Sequence, residues 1–458
     1  MLRHVFLCTS FGRSSCAFCS SKRYQETAWY STTCVYAQFD KRRCYGQSLI
    51  RCLHLRTDRV QCDERLETEL QQWQPEQQQQ EQQQLRASGP QMMLHHYHLT
   101  VTELFEAYYE CRRHKRNTPA ALEFEQNLEA NLMELYYELL SGTWQVSPAT
   151  VFVVTVPKCR EVWAANFRDR IVHHLVYRAI APMFEKAFIH DSCACIKGRG
   201  TLYAANRLEK HLRSATQDWT QAAYVLKTDV ANFFGSIRQD LLFEKLQVKV
   251  QNEFLLDLLE KLVFQDVKMN AIFNSDAKKL SLVPPHKSLL KAQAGIGLPI
   301  GNLSSQFFAN VYLDSVDQAI KRAMGCKHYV RYVDDMVVVH KSAQKLNEVA
   351  DGIRAELAKL GMSLAEHKTS IEPATKGVDF VGHVIRPYRR QWRPKTQRAA
   401  LRKIAQTATP NLVQTCNSYL GLSRSTGNRS QTLTIARAAL KSGLAVNSTL
   451  NRTYTHAY

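Results

Sequence analysis

Two adjacent carboxylates, Asp334 and Asp335, lie inside the apolar stretch "HYVRYVDDMVVVH". Tyr329 to Val333 precede them and Met336 to Val339 follow, which predicts two short strands with the aspartates at or near the turn. Asp is a common turn residue, so a solvated turn explains an isolated pair of this kind. The alternative is a metal site, in which a bound cation relieves the repulsion between the two charges.

A metal site for phosphoryl chemistry typically uses one or two carboxylates together with substrate phosphates and water, so a further acid is expected from another strand. The segment "AYVLKTDVANFFGSI" provides Asp229 at the end of a predicted strand that begins at Tyr224. A charge next to buried residues is costly unless something binds it. We therefore predict that Asp229 and Asp334 meet within one sheet.

A Gly-rich segment, "GIGLPIGNLSSQFFANVYLDSVDQ", lies between the two acids and runs into a predicted helix. Glycine lets the backbone approach a ligand closely, although a single Gly-rich loop is weak support for a binding site. Three segments therefore follow one another: an Asp-bearing strand, a Gly-rich loop with its helix, and a Tyr-Val-Asp-Asp hairpin.

The composition favours a polyanionic partner. Lys and Arg number 60 against 41 Asp and Glu, which gives a formal net charge of +19, and the sequence pI is about 9.4. Such a balance suits nucleic acid. No apolar run of about 18 residues is present, so neither a membrane span nor a membrane partner is predicted.

Cysteine usage indicates a reducing compartment. The chain has 13 cysteines, without any sign of a secretory context, so we expect mostly free thiols and a bacterial-type cytoplasmic location. The sequence "CAFC" at Cys16 to Cys19 lacks a second pair at zinc-finger spacing, which argues against zinc.

Residues 1–93 differ from the rest of the chain, because they are rich in Cys, Arg and Gln and end in a glutamine tract. Such a segment buries too little apolar surface to fold, and we predict a disordered extension. An organellar transit peptide is an alternative. A second alternative is that the natural start is Met92 or Met93.

Helical spacing of apolar residues begins at Thr100 and predicts a helical lead-in. A β-rich run from Val151 to Val156 follows, and then a basic cluster and a further helix. His173 and His174 point in different directions on that helix, so they are expected to pack or to contact nucleic acid rather than to bind a metal. The basic cluster comprises Lys158, Arg160, Arg168 and Arg170.

In this order the segments resemble the reverse transcriptases of the retron and group II intron superfamily, and most closely those of diversity-generating retroelements. The resemblance covers residues 99–439. It is carried by "RDRIVHH", "SCACIKGRGT", "LKTDVANFFGSI", "GLPIGNLSSQFFANVYL", "YVDD", "GMSLAEHKTSI", "GVDFVGHVIRP" and the thumb-like "CNSYLGLSR".

The resemblance implies an α+β right-hand polymerase fold with helical fingers, a palm containing an antiparallel sheet, and a helical thumb. The expected domains are residues 94–222 for the lead-in and fingers and 223–387 for the palm, with a fingers-side insertion near 266–294. The thumb is expected at 388–445 and a tail at 446–458.

The resemblance also implies two Mg²⁺ ions bound at Asp229, Val230, Asp334 and Asp335. Lys368 becomes a candidate proton donor or phosphate contact. Nucleotide-binding residues would be Lys158, Arg160, Phe234, Ile300, Gly301 and Gln306, with Phe234 in the bulky position that excludes a ribose 2′-hydroxyl. Nucleic-acid contacts would be Arg168, Arg170, Lys197, Arg199, Ser305, Tyr332, Arg393 and Lys395, and the basic thumb segment around Trp392 suits tracking along an RNA–DNA hybrid.

Three positions, Ile300, Gln306 and Ile196, depart from common patterns. Group II intron enzymes usually carry Gln-Gly and then Ser-Pro where this chain has Ile300-Gly301 and Ser305-Gln306, and these substitutions resemble enzymes that copy template adenines inaccurately. An apolar Ile offers no hydrogen bond beside the template base, although it could also simply pack. Ile196 stands where family members often have Arg, so Lys197 or Arg199 would have to substitute.

The sequence therefore predicts an RNA-directed DNA polymerase that makes cDNA from an RNA template, a DNA primer and dNTPs, with low fidelity in a diversity-generating retroelement. A small basic accessory protein is an expected partner. Alternatives are an antiviral defence reverse transcriptase and a maturase-like RNA-binding protein.

Overall fold

The computed structural model describes residues 97–113, 118–156 and 158–455. The predictions for residues 1–93, namely the disordered extension, the targeting segment and the "CAFC" motif, lie outside the described residues. Within the described ranges, no helix is both long enough and apolar enough to cross a membrane.

The predicted helical lead-in is present. Thr100 caps its first helix in a reciprocal arrangement, because its hydroxyl accepts from the Glu103 amide at 3.2 Å while the Glu103 carboxylate accepts from the Thr100 amide at 3.0 Å. Leu122 is an exception to the predicted apolar face, because it is 49% exposed. The helices are α1 (Val101–Arg112), α2 (Pro119–Gln126), α3 (Leu128–Leu140), α4 (Phe167–Glu185) and α5 (Thr201–Thr216).

A small sheet lies next to these helices. Strand β1 (Thr150–Val154) pairs antiparallel with β2 (Arg160–Ala164). Strand β4 (Ile272–Phe273) then joins β1 in parallel, although it comes from much later in the chain. The predicted insertion near 266–294 therefore contributes to the sheet of the fingers region.

The palm is built on a four-stranded antiparallel sheet in the order β5-β6-β3-β7. Val225, Val337 and Val339 pack against α5 in one buried cluster. Leu226, Met336 and Val338 are also buried. Because successive side chains in a strand point to opposite faces, both faces of the sheet are covered. The strands are β3 (Tyr224–Asp229), β5 (Tyr329–Tyr332), β6 (Asp335–His340) and β7 (Ser370–Pro373).

Helices connect and cover these strands. The 16-residue helix Leu303–Gln318 carries the sequence that follows the Gly-rich loop, and the helix Ala343–Lys359 packs against β3 and β6. The helices between the strands are α6 (Phe233–Ser236), α7 (Gln239–Gln247), α8 (Glu253–Val263), α9 (Ala277–Ser281), α10 (Leu303–Gln318) and α11 (Ala343–Lys359).

A three-stranded meander and a helical region complete the described chain. The meander consists of β8 (Val378–Phe380), β9 (His383–Arg386) and β10 (Arg389–Trp392). The helical region contains α12 (Pro394–Gln406), α13 (Thr409–Arg424) and α14 (Arg429–Lys441), followed by the hairpin of β11 (Leu444–Val446) and β12 (Thr453–Thr455).

One expectation about this C-terminal region needs correction. Trp392 is only 1% exposed and lies in the apolar core of α12, α13 and α14, so it does not present a ring to nucleic acid. Within the segment predicted as a tail, β12 pairs with β11 and the Thr453 amide donates to the Asn417 side chain at 2.6 Å.

Candidate active site

The hairpin between β5 and β6 brings the predicted carboxylates together. Strand β5 ends at Tyr332 and β6 begins at Asp335, so Asp334 occupies the turn as predicted. Asp229 lies directly opposite Asp335 in the register of β3 and β6. The Val230 amide also donates to the Asp334 carbonyl at 3.3 Å. Three carboxylates therefore meet at one end of the palm sheet.

The turn is held in an uncommon conformation. Val333 has φ of 57°, in the left-handed region that a β-branched residue rarely adopts. Such a residue persists only where its surroundings enforce it. The turn that delivers Asp334 is therefore determined by tertiary contacts rather than by local preference.

The carboxylates are held at an electrostatic cost. Burial, followed by the charge of Asp229, raises the pKa of Asp334 to about 6. Burial also raises the pKa of Asp335, with the Lys227 ammonium opposing this effect and Asp229 adding to it. Partly buried like charges favour protonation unless a cation neutralises them.

A cation from the chain already contacts this cluster. The Lys368 ammonium lies 2.6 Å from Asp229 Oδ1. Lys368 ends a short 3₁₀ helix (Glu366–Lys368) that is anchored next to β3, because the Ala365 amide donates to the Asp229 carbonyl at 2.8 Å. The predicted Lys368 therefore reaches the site and partly offsets its negative charge.

The donor set fits a hard divalent cation. In the described part of the chain no group of three or more His, Cys, Asp or Glu side chains is arranged as a metal cage. Mg²⁺ does not need such a cage, since it commonly takes one or two carboxylates and completes its shell with water and phosphate. The raised pKa of Asp334 and the ammonium at Asp229 both indicate a site that favours added positive charge. The side chain of Val230 is 1% exposed, so only its backbone could serve as a ligand.

These pKa shifts predict a pH-dependent response to metal. Because the pKa of Asp334 in the folded protein, about 6, lies above its ordinary value of 3.8, the metal-free protein should lose stability as the pH rises between these two values. Added MgCl₂ should then raise the melting temperature more at about pH 7.5 than at about pH 5, because the ionised carboxylate binds the cation. Thermal melts with and without MgCl₂ would measure this, and Asp334→Asn should reduce the difference. Equal shifts at both pH values would contradict it.

The Gly-rich loop approaches protein backbone closely. Gly301 has φ of 139°, and a Cβ there would lie 2.8 Å from the Trp163 carbonyl oxygen. The Trp163 amide donates to the Ile300 carbonyl at 2.7 Å, which ties the loop to β2. The Leu298 amide donates to the Phe234 carbonyl at 2.8 Å. The close approach that glycine allows at position 301 is thus to β2, and the predicted contact of Gly301 with nucleotide stays a prediction.

The start of α10 separates two predicted contacts. Ser305 is 3% exposed, and its contact with nucleic acid stays a prediction. Gln306 is exposed, and its amide oxygen accepts from Cys195 Sγ at 3.3 Å. Of these two side chains, that of Gln306 is the more accessible to a ligand.

The basic residues divide into exposed and engaged groups. Arg168 pairs with Glu138 at 2.5 Å, and Arg199 donates to the carbonyls of Ile189 and Ser192 at 2.9 and 2.8 Å. Arg199 is therefore a structural tie and a poor substitute for the arginine missing at Ile196, which is itself buried. Besides Lys368, the predicted cations that are exposed are Lys158, Arg160, Lys197 and Lys395.

Three further predicted contacts are partly buried. Tyr332 packs against the buried cluster between the palm sheet and α5. Arg170 is partly buried, and burial lowers its pKa. Arg393 pairs with Asp379 at 2.6 Å, at the junction of the meander and α12.

The sequence reasoning overlooked two charged residues near the site. The Lys227 ammonium donates to the Asp379 carbonyl at 2.7 Å and influences Asp335. Arg331 is 1% exposed and forms an ion pair with Asp317. An arginine between the apolar residues of "YVRYV" was the signal that could have revealed the second residue.

Carboxylates grouped at one end of a four-stranded antiparallel sheet, in a chain that also has a small sheet of β1, β2 and β4 and a helical C-terminal region, are typical of polymerases of the right-hand class. Residues 156–385 match the family described as "Reverse transcriptase (RNA-dependent DNA polymerase)". The chain belongs to this reverse transcriptase family, whose members are RNA-directed DNA polymerases, a class of nucleotidyltransferases. Enzymes of the family extend a nucleic-acid primer on an RNA template and generally use divalent metals.

Two solved telomerase structures are similar to part of the chain. One is from Candida albicans, in complex with a fragment of telomeric RNA, with 13% identity and a TM-score of 0.41. The other is apo telomerase from Candida tropicalis, with 14% identity and a TM-score of 0.41. Each match covers 65% of this chain and 54% or 56% of the telomerase chain, so the present chain spans little more than half of their length. No curated protein sequence matches the chain.

Proposed function

We propose that the chain is the low-fidelity reverse transcriptase of a diversity-generating retroelement, with Asp229, Asp334 and Asp335 holding two Mg²⁺ ions. Bound there, the ions would lower the pKa of the primer 3′-hydroxyl and neutralise charge on the triphosphate and the leaving pyrophosphate. The clustered carboxylates and the Lys368 contact support polymerisation over a purely RNA-binding, maturase-like role, since an RNA-binding surface has no need of buried acids.

The residues around the carboxylates have separate proposed tasks. Lys368 offsets the charge of Asp229 before substrate binds and then contacts phosphate or donates a proton to pyrophosphate. Lys158 and Arg160, both exposed on the fingers side, hold the triphosphate. Lys395 and its neighbours on α12, Arg398 and Arg402, form an exposed basic stripe for the backbone of the hybrid.

Phe234 is proposed to select deoxyribose. It is partly exposed at the start of α6, and its ring centre lies 5.2 Å from that of the buried Phe233. The ring can therefore fill the space that a 2′-hydroxyl needs. We expect Phe234→Ala to reduce the preference for dNTP over rNTP about 100-fold, as the ratio of kcat/KM values.

The matched control for this change is Phe233→Leu, which lies beside the site but is buried. It should retain the preference for dNTP. An unchanged preference in Phe234→Ala would remove Phe234 from this role, whereas a similar loss in both variants would indicate a general distortion of α6.

The single observation that supports low fidelity is the apolar, partly exposed side chain of Ile300. The Ile300 carbonyl accepts a hydrogen bond from the Trp163 amide, and the side chain offers no polar group. A template base next to it would therefore lack a hydrogen-bonding check on its alignment.

The test of low fidelity is Ile300→Gln. We expect misincorporation opposite template adenine to fall about 10-fold, with smaller changes opposite the other bases. Sequencing of cDNA made on a primed RNA template with MgCl₂ would measure this. Ile300→Val keeps the site apolar and should leave the error spectrum unchanged. A wild-type enzyme that copies adenine accurately would overturn the retroelement proposal without affecting the assignment to the family.

A further inference from the structure

A buried ion pair lies directly behind the catalytic turn. Arg331 and Asp317 are each 1% exposed, and Arg331 Nη2 lies 2.6 Å from Asp317 Oδ2. Arg331 Nε lies 2.8 Å from Asp317 Oδ1, so the contact is bidentate. The Tyr329 hydroxyl donates to the same carboxylate at 2.6 Å. Asp317 belongs to α10, so the pair joins that helix to β5.

The guanidinium also reaches the turn itself. Arg331 Nη1 donates to the Val333 carbonyl at 2.9 Å and to Asn310 Oδ1 at 3.2 Å. Arg331 Nη2 donates to Ser192 Oγ at 3.1 Å. These contacts and those with Asp317 engage all three nitrogens of a planar fork whose donor directions are fixed.

The same cluster fixes the start of the second fingers motif, which is the segment "SCACIKGRGT" from Ser192 to Thr201. The Arg331 amide donates to the Asp191 carbonyl at 2.9 Å, and the Cys193 amide donates to the Arg331 carbonyl at 3.0 Å. The Asn310 side chain donates to the Ala194 carbonyl at 2.8 Å. Three segments that are distant in the sequence therefore meet at one guanidinium.

Stability alone explains this arrangement poorly. A buried ion pair often contributes no more than apolar residues of the same volume, and its best attested use is to specify one conformation. The conformation to be specified here is the left-handed Val333, whose carbonyl Arg331 holds directly.

We propose that Arg331, oriented by Asp317, is a positioning residue that fixes the turn carrying Asp334 and joins it to the second fingers motif. This inference rests on the proposed catalytic role of Asp334. Arg331 acts through the Val333 carbonyl and does not contact substrate. Its effect should appear in the chemical step rather than in binding.

The test compares Arg331→Lys with Asn310→Ala and the control Arg178→Lys. Lysine can keep the charge beside Asp317, but its single ammonium cannot also hold Val333 and Asn310. Arg178 is also paired with two carboxylates, those of Glu106 and Glu110, but on the partly exposed surface between α4 and α1. Single-turnover dNTP addition on a primed RNA template would be measured against dNTP and MgCl₂ concentration, per folded molecule.

For Arg331→Lys we expect the maximal rate to fall about 10- to 100-fold, because misplacement near 1 Å has effects of this size. The half-saturating dNTP concentration and the affinity for the hybrid should change less than about 2-fold, and the MgCl₂ requirement should increase. Asn310→Ala should show a weaker form of the same pattern, and Arg178→Lys should match the wild type.

Wild-type rates per folded molecule in both Arg331→Lys and Asn310→Ala would overturn the proposal and leave the pair a purely structural role. If Arg331→Lys does not fold, the rate of Asn310→Ala decides. Failure of the underlying function is a separate outcome, since Asp334→Asn would then retain activity.

Discussion

Asp334→Asn is expected to reduce dNTP incorporation by at least about 1,000-fold while the protein remains folded. Asn has nearly the same shape as Asp but no charge, so the turn persists and the cation loses a carboxylate ligand. Primer extension on an RNA template with MgCl₂ would measure the loss. Retention of more than about a tenth of the wild-type rate would contradict the proposed metal site.

The same substitution should increase the stability of the metal-free protein. At about pH 7.5 the wild type holds Asp334 ionised although burial and Asp229 oppose this, and the neutral Asn removes that cost. A higher melting temperature together with lost activity would separate a functional carboxylate from a structural one.

The control for this experiment is Asp169→Asn. Asp169 is also buried, and burial raises its pKa, but it accepts the Ser147 amide at the start of α4. Asn can accept the same hydrogen bond, so activity should persist. Loss of activity in the control would mean that neutralising any buried acid inactivates the enzyme.

Trp392→Ala is expected to lower the free energy of unfolding by about 3–5 kcal/mol, since it empties the position of a large core side chain. The ring is 1% exposed, its Nε1 donates to the Leu422 carbonyl at 3.2 Å, and its backbone amide donates to Gln431 at 2.9 Å. Thermal melting and proteolysis of the C-terminal helices would measure the change. Hybrid binding should weaken only as far as the thumb unfolds.

Lys395→Ala provides the opposite case on the following helix. Lys395 is exposed, so its loss should leave the melting temperature unchanged. The slope of log affinity for the hybrid against log salt concentration should become smaller by about 1, since one phosphate contact is lost. Trp392→Phe, which keeps most of the ring volume, should have a smaller effect on stability than Trp392→Ala. A stable Trp392→Ala protein that binds the hybrid poorly would instead indicate that Trp392 contacts the hybrid directly.

Local pattern was sufficient for the strands, the turn and the acids. The apolar runs around "YVDD" and before Asp229 predict both elements, because short runs rich in Val and Tyr are typical of strands that are buried on both faces. The antiparallel palm sheet and the position of Asp334 at the turn are as predicted.

The local sequence pattern did not predict which face of an element is covered by the rest of the chain. Trp392 stands among polar residues in the sequence, yet it is buried in the core of α12, α13 and α14. Ser305 is buried as well. The sequence places Gly301 in a predicted ligand-binding loop, and in the structure Gly301 lies close to the backbone of Trp163. Long-range packing determines such cases, and the spacing of residues within one segment does not record it.

The sequence by itself was enough to predict a nucleic-acid partner from the excess of Lys and Arg. It was also enough to predict the order of the motifs and the strands that carry the acids. Only the tertiary structure decided which partner each cation has. Lys368 contacts Asp229, Arg199 donates to the Ile189 carbonyl, and Arg331 donates to the Val333 carbonyl in the turn that carries Asp334. The reason is physical. A strand pattern follows from each residue's own preference for burial, whereas the partner of a buried charge depends on which distant segment the fold brings within hydrogen-bond distance.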